Sequence, residues 1–312
     1  MSKVWDAIIV GGGAAGLFCA GVAGQLGKKV LVLDHADILC EKIRISGGGR
    51  CNFTNVHSSP ANFLSLNPHF VKSALARYPA KEFIKLVQSY RIAYHEKHQG
   101  QLFCDDSAKQ IIEMLLAECA KGHVDIRYPV RVESIAHESG IWSVKTSAGI
   151  ERSTSLVMAT GGLPVPAIGA TAYSLDIAKQ FGLKVVDPRP ALVPLSFTSG
   201  EFDNLIELSG LSLPVRIASG AKGNRYGACR FNEDLLLTHK GLSGPAVLQA
   251  SSYWAEGEAI HIDWLGAVEA NGQFSCDELF NHEDNRLKLT ENILASVMPL
   301  RLAKHLQSRK IS

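Results

Sequence analysis

Residues 6–10 (DAIIV) form a continuous apolar run that stops at Gly11, Gly12 and Gly13, and residues 14–26 then carry a helix-length pattern closed by Gly27. A second continuous run at 30–34 (VLVLD), with β-branched residues, reads as a parallel strand covered on both faces. Residues 6–34 therefore predict one βαβ unit. Helical periodicity returns at 70–90, interrupted at Pro79, and at 107–121, where Ser107 is placed to cap the helix and Gly122 to end it. The runs 126–135, 142–146 and 155–159 predict strands, with turn residues such as Gly140 and Gly149 between them. A short helix at 173–181 closes at Gly182, and 183–186 reads as a strand ahead of Pro188, Pro190 and Pro194. Beyond it, strands at 213–217, 235–238 and 259–262 with a helix at 245–253 predict a small β-rich domain. The chain is polar and helical over 285–308. The expected division is 1–195, 196–270 and 271–312, in an α/β protein.

Composition narrows this picture. At 46% hydrophobic and 20% charged residues in 312, the chain falls among folded globular proteins and outside disordered, collagenous or coiled-coil classes. Lysines and arginines number 32 against 30 acidic residues, a formal charge of +2, which gives no bulk electrostatic case for nucleic acid or an anionic membrane. Neither is expected as a partner. Seven scattered cysteines without a C-x-x-C pair signal no disulfide framework and no metal site, which fits a reducing cytoplasm. The N-terminus carries no basic head followed by an apolar core, and no apolar run approaches 18 residues, so neither a signal peptide nor a membrane span is expected.

Three glycine-rich blocks stand at strand ends. In Gly11-Gly12-Gly13-Ala14-Ala15-Gly16, a G-x-G-x-x-G that follows a strand and opens a helix, Gly11 permits a tight turn, Gly13 lets backbone approach a pyrophosphate, and Gly16 lets helix and strand pack closely. Asp34 ends the next strand, where it would accept hydrogen bonds from an adenosine ribose and disfavour a 2′-phosphate. The plainer reading is a βα turn without a ligand. The second block is Ser46-Gly47-Gly48-Gly49-Arg50-Cys51-Asn52, preceded by Arg44; its glycines suit amides that crowd against a flat or anionic ligand, with the two arginines placed for phosphate or ring oxygens. A mobile loop is the alternative there, and for Cys51 a buried small side chain is the plainer role than contact with a redox ring. The third is Ala159-Thr160-Gly161-Gly162, placed where a sheet returns beneath a bound dinucleotide. His239 and Ser243 in LLLTHKGLSGP read as structural, and His95 and His98 as solvated loop residues.

The blocks DAIIVGGGAAGLFCAG, ISGGGRCNFTN, GQLFCDDSAKQI, LVMATGG and LLLTHKGLSGPAVLQ resemble the aminoacetone oxidase-like FAD-binding flavoproteins, grouped with NAD(P)/FAD-dependent oxidoreductases and 3-dehydro-bile-acid reductase-like proteins. The resemblance implies a glutathione-reductase-type FAD-binding Rossmann domain with an inserted small β-barrel domain and a helical segment. It implies that Gly11, Gly13, Ala15, Gly16 and Asp34 hold the ADP half of FAD, and that Arg44, Gly48, Gly49, Arg50, Cys51 and Asn52 line the flavin side. It further implies that Val130 presents its backbone to the adenine and that Thr160 and Gly161 pass beneath the cofactor. The family's closing G-L-Y-F-x-G-E and G-G-Y-N block does not occur by Ser312, so an FAD domain lacking that segment is expected. The implied activity is an FAD-dependent oxidoreductase that passes electrons from a reduced donor, with NAD(P)H the candidate, to a small organic molecule or oxygen. The alternative is a catalytically inactive remnant with weak nucleotide binding. A plain NAD dehydrogenase would leave SGGGRCN without a role.

Overall fold

The computed structural model describes residues 4–197, 203–220, 227–266, 278, 281 and 290–308. The chain forms two compact units, Met1–Phe63 with Pro68–Val186, and Leu64–Asn67 with Asp187–Ser312.

In the first unit β1 (Val4–Val10) passes through the glycine turn into α1 (Ala14–Gln25) and β2 (Val30–Leu33). The chain continues through α2 (Glu41–Ile45), β3 (Asn52–Asn55), α3 (Lys72–Arg77), α4 (Ala80–Ser89), β4 (Tyr94–Glu96) and β5 (Gln101–Cys104). Then come α5 (Lys109–Lys121), β6 (Asp125–Arg127), β7 (Val132–Glu138), β8 (Ile141–Thr146), β9 (Gly149–Met158) and α6 (Tyr173–Gln180). The main sheet has the order β6-β2-β1-β9-β8-β7; its first four strands run parallel, and β8 and β7 extend it antiparallel.

Alternate side chains of the central strands point to opposite faces, and both faces are covered. Ile9, Val30 and Val32 pack with Leu17 and Ala20 of α1 and Ile111 and Leu115 of α5, whereas Ile8, Val10, Leu31 and Leu33 pack with Ile135, Val144 and Ile177. That two-sided burial is why the β1 and β2 segments read as unbroken apolar runs, and each fully buried Ile or Leu there stabilises the fold by about 2 kcal/mol. This is a Rossmann-type α/β fold with a mixed sheet and additional antiparallel sheets.

A separate three-stranded antiparallel sheet, β3-β5-β4, carries α4 on Phe53, whose ring lies 6.1 Å from that of Phe83. These strands of three or four residues are too short to leave a periodic signal. The expected strand at 183–186 is absent: that segment is irregular, and Leu183 and Val186 stay 64% and 57% exposed, so its apolar side chains find no sheet face to bury against. The expected 126–135 strand divides into β6 and β7 because Val130 turns its N–H back to the Asp34 carbonyl at 2.7 Å. At α5 the Ser107 hydroxyl accepts the Lys109 N–H at 3.2 Å.

The second unit holds β10 (Leu195–Ser196), α7 (Asp203–Ile206), β11 (Ser212–Ser219), β12 (Cys229–Thr238), β13 (Gly241–Ser243), α8 (Pro245–Ser251) and β14 (His261–Asp263). The strands form an antiparallel sheet ordered β10-β13-β12-β11-β14. Leu213, Val215 and Ile217 alternate inward along β11 and pack with Leu235, Leu237, Val247 and Leu302. Helices at Thr290–Leu294 and Leu300–Ser308 occupy the described part of the predicted helical stretch; residues 285–289 of that stretch lie outside the described residues. No helix among the described residues is long and apolar enough to cross a membrane.

Candidate nucleotide-cofactor site

The parallel strands β1, β2, β6 and β9 end at one edge of the sheet, and a cavity of about 860 Å³ lies there. Each strand end delivers a specific group. Gly11, at φ +113°, donates its N–H to the Leu33 carbonyl at 2.8 Å and ends β1; a Cβ on it would lie 2.4 Å from the Ala159 carbonyl oxygen. Gly16 sits closer still, since its Cβ would lie 1.9 Å from the Gly11 carbonyl oxygen. Gly13 differs: a Cβ there would meet nothing within 4 Å, so the space beside it opens into the cavity. It is the N-cap of α1 and supplies no side-chain cap, and the first turn holds no acidic residue. The amino end of α1 therefore presents free N–H groups and a positive dipole end to the cavity.

Asp34 follows β2 with its side chain only 14% exposed. One carboxylate oxygen accepts the Gly12 N–H at 2.5 Å and the other the Ala36 N–H at 2.8 Å. These bonds fix the carboxylate and leave each oxygen further acceptor capacity. Across the cavity, two side chains have buried hydroxyls without a partner among the described residues, Thr160 at the end of β9 and Tyr173 at the start of α6. An orphaned hydroxyl costs about 1–3 kcal/mol, so a pair lining one cavity indicates a polar ligand. Burial pushes the Tyr173 phenol up, keeping it a donor at neutral pH.

Of the residues singled out from sequence, Gly11, Gly13, Ala15, Asp34, Val130, Thr160 and Gly161 line this cavity, and Gly16 packs directly behind it. Val130 lines it with its N–H donated to the Asp34 carbonyl at 2.7 Å. Arg44, Gly48, Gly49, Arg50, Cys51 and Asn52 do not line it. Arg44 lies in α2 and the others follow it, while Glu41, Lys42 and Ile43 of α2 do line the cavity. Arg44 pairs with Glu41 at 2.9 Å, and Arg50 is exposed. Gly47, Gly48 and Gly49 take successive φ values of +57°, +66° and +86°, a left-handed turn tied down by the Gly49 carbonyl accepting the Ala108 N–H at 2.7 Å and the Arg50 carbonyl accepting the Cys104 N–H at 2.9 Å. Cys51 is buried, and burial pushes its thiol up despite a hydrogen bond from Ser46. Asn52, turned so that its amide nitrogen faces them, donates to the carbonyls of Leu102 and Thr54 at 3.3 and 3.1 Å.

Three cavity residues carried no sequence signal. Cys40, at φ +62°, donates its thiol to the Gly12 carbonyl at 3.2 Å; burial pushes its pKa to about 12, so it stays protonated. Lys42 donates to the Gly162 carbonyl at 3.2 Å, and Tyr173 stands at the first position of α6. His239 is exposed, and His95 forms a 2.7 Å contact with Asp105.

A model of the HI0933-like protein Rossmann domain matches residues 5–283. The chain is 45% identical over 303 residues to a ribosomal RNA dihydrouridine synthase of Escherichia coli (strain K12), covering 97% of this chain and 73% of that protein. It is 48% identical over 270 residues to a protein of the same name in Haemophilus influenzae, covering 85% of this chain and 65% of that one. At 24% identity it is also similar to a 3-dehydro-bile acid delta(4,6)-reductase of Clostridium scindens, covering 84% of this chain and 65% of the reductase. The first two names overturn the expectation that nucleic acid is no partner. A formal charge of +2 is a sum over the chain and is blind to how the charges are distributed.

Proposed function

The chain belongs to the HI0933-like Rossmann-domain family, and on that premise we propose that it is an FAD-dependent reductase whose substrate is a uridine in RNA, with NAD(P)H as electron donor. The cavity carries the cofactor half of the reading, through its uncapped helix end, its fixed Asp34 and its two partnerless hydroxyls. In this assignment the α1 N-terminus with Gly11, Gly13, Ala15 and Gly16 receives the pyrophosphate and Asp34 the adenosine ribose. The Val130 backbone serves the adenine edge, and Thr160 and Gly161 lie beneath the cofactor. Arg44, Gly48, Gly49, Arg50, Cys51 and Asn52 are assigned to the flavin side.

The substrate half draws on the relatives' names. Dihydrouridine formation and delta(4,6) reduction of a 3-dehydro steroid both add two hydrogens across a carbon–carbon double bond conjugated to a carbonyl. FAD held here, once reduced by NAD(P)H, would supply the hydride for such a bond, NAD(P)H leaving as NAD(P)+ and a proton from water completing the addition. The protein's share is to bind the cofactor by its ADP half, to hold the flavin loop rigidly and to keep Cys40 and Tyr173 protonated at neutral pH, so that neither adds negative charge beside the phosphates.

The test is incubation of the full chain with FAD, NADPH and an unmodified ribosomal RNA transcript, followed by mass spectrometry of the RNA digest. A uridine gaining two hydrogens, dependent on both protein and NADPH, is the expected result. Bound FAD with no gain in RNA mass would overturn the substrate assignment and leave the cofactor assignment standing.

A further inference from the structure

Although the whole chain carries only +2, residues 42–104 hold nine lysines and arginines against two glutamates, a surplus of seven, which leaves the remaining residues five negative charges in excess. Six of the nine, Lys72, Arg77, Lys81, Lys85, Arg91 and Lys97, lie with Glu82 and Glu96 in the part of the first unit built from β3, β4, β5, α3 and α4, a surplus of four; the other three, Lys42, Arg44 and Arg50, lie in α2 and the turn after it. Lys72, Arg77, Lys81 and Arg91 are all exposed and have no carboxylate partner among the described residues; Lys85 is paired with Glu82. α4 buries Val87 and turns Phe83 onto Phe53, and presents Lys81, Lys85 and Gln88 at i, i+4 and i+7 to solvent. Two large exposed rings precede these cations in sequence: Phe63 is 45% exposed, and Phe70, two residues before Lys72, is 76% exposed. Uncompensated cations keep an exposed anion-binding face only if nothing in the chain neutralises them, and exposed phenylalanines gain nothing from water. Phosphates on the cations and bases stacked on the rings satisfy both, which is the chemistry of single-stranded RNA recognition.

We propose that the α3–α4 face, with Phe70, Lys72, Arg77, Lys81 and Arg91 as its contacts, is the surface that holds the RNA strand. The assignment rests on the RNA reading above and adds to it the place where the strand is gripped.

The experiment measures binding of a fluorescein-labelled 20-nucleotide single-stranded RNA to the FAD-loaded full chain by anisotropy across a salt series. The proteins are the wild type, the triple variant Lys72→Glu/Arg77→Glu/Lys81→Glu, Phe70→Ala, and a control with Lys28→Glu/Lys184→Glu, two exposed lysines outside the patch. The triple variant should lose affinity roughly tenfold or more and lower the salt slope by about 2, at about 0.7 per phosphate contact on a single strand. Phe70→Ala should lose roughly tenfold through stacking. The control should stay within about twofold of the wild type, and FAD content and melting should be unchanged in all variants. Equal losses in the triple variant and the control, with the wild type binding RNA, would overturn the patch and leave the RNA reading intact. A wild type that fails to bind the RNA would overturn both, as would preferential binding to phosphatidylglycerol vesicles in a parallel arm.

Discussion

A methyl group added at Gly16 would lie 1.9 Å from the Gly11 carbonyl oxygen, whereas one added at Gly48 would meet nothing within 4 Å. Both glycines belong to glycine-rich blocks, Gly16 in the first turn of α1 and Gly48 in the turn before β3, and their residue type is demanded by different physics. Around Gly11 and Gly16 three backbone segments cross so closely that no Cβ fits, and the conformation of Gly16 itself is ordinary. At Gly47, Gly48 and Gly49 the requirement is the left-handed turn, which L side chains adopt only at a cost. The first block is a packing junction; the second is a left-handed backbone ribbon, packed on Phe103 and Asn52 at Gly47 and open at Gly48.

The largest effect that would break this contrast is Gly16→Ala. Overpacking against backbone should cost about 3 kcal/mol or more, read by urea denaturation, with loss of FAD uptake. Next comes Asp34→Ala, which strands the Gly12 and Ala36 N–H groups: it should cost about 2 kcal/mol and weaken FAD more than tenfold in a fluorescence titration. Gly48→Ala should cost only about 1 kcal/mol, and Gly48→Asn less, because Asn tolerates the left-handed region. A cost at Gly48 equal to that at Gly16 would erase the distinction. The smallest effect concerns α1 and α5, which support the first block. Burial acts to raise the Glu118 pKa, but hydrogen bonds from Lys121, Tyr90 and Gln25 outweigh it and hold the carboxyl at about 2. Since the folded value lies below the unfolded one, this contribution is present at neutral pH and fades as pH falls from about 4.5 toward 2. Melting temperatures of the wild type and Glu118→Gln should therefore differ at pH 7 and converge on acidification.

The βαβ unit was legible because its signals are local and redundant: two apolar runs of strand length, three glycines and a terminal acid within 29 residues, 6–34. The β3-β5-β4 sheet was not, because strands of three or four residues are too short to show a period of their own, and β3 finds its partner β5 some fifty positions away. The cavity followed the same rule. Asp34 and Thr160 announced themselves at strand ends, but Cys40, Lys42 and Tyr173 reach the cavity through tertiary folding alone. The separation of charge was in the sequence throughout and was hidden by adding it up.

The most direct test of a dinucleotide at the sheet's carboxyl edge uses the opening beside Gly13. That residue is the extended N-cap of α1 at φ −86°, with free space where a Cβ would stand. Aspartate is a favoured N-cap residue, so Gly13→Asp should leave the fold intact, with stability equal to or slightly above that of the wild type. It would also put bulk and negative charge in the space assigned to the pyrophosphate. Titration of both proteins with FAD, followed by flavin fluorescence, should give one tightly held FAD per wild-type chain and none in the folded variant. Equal binding by the two proteins would contradict the account.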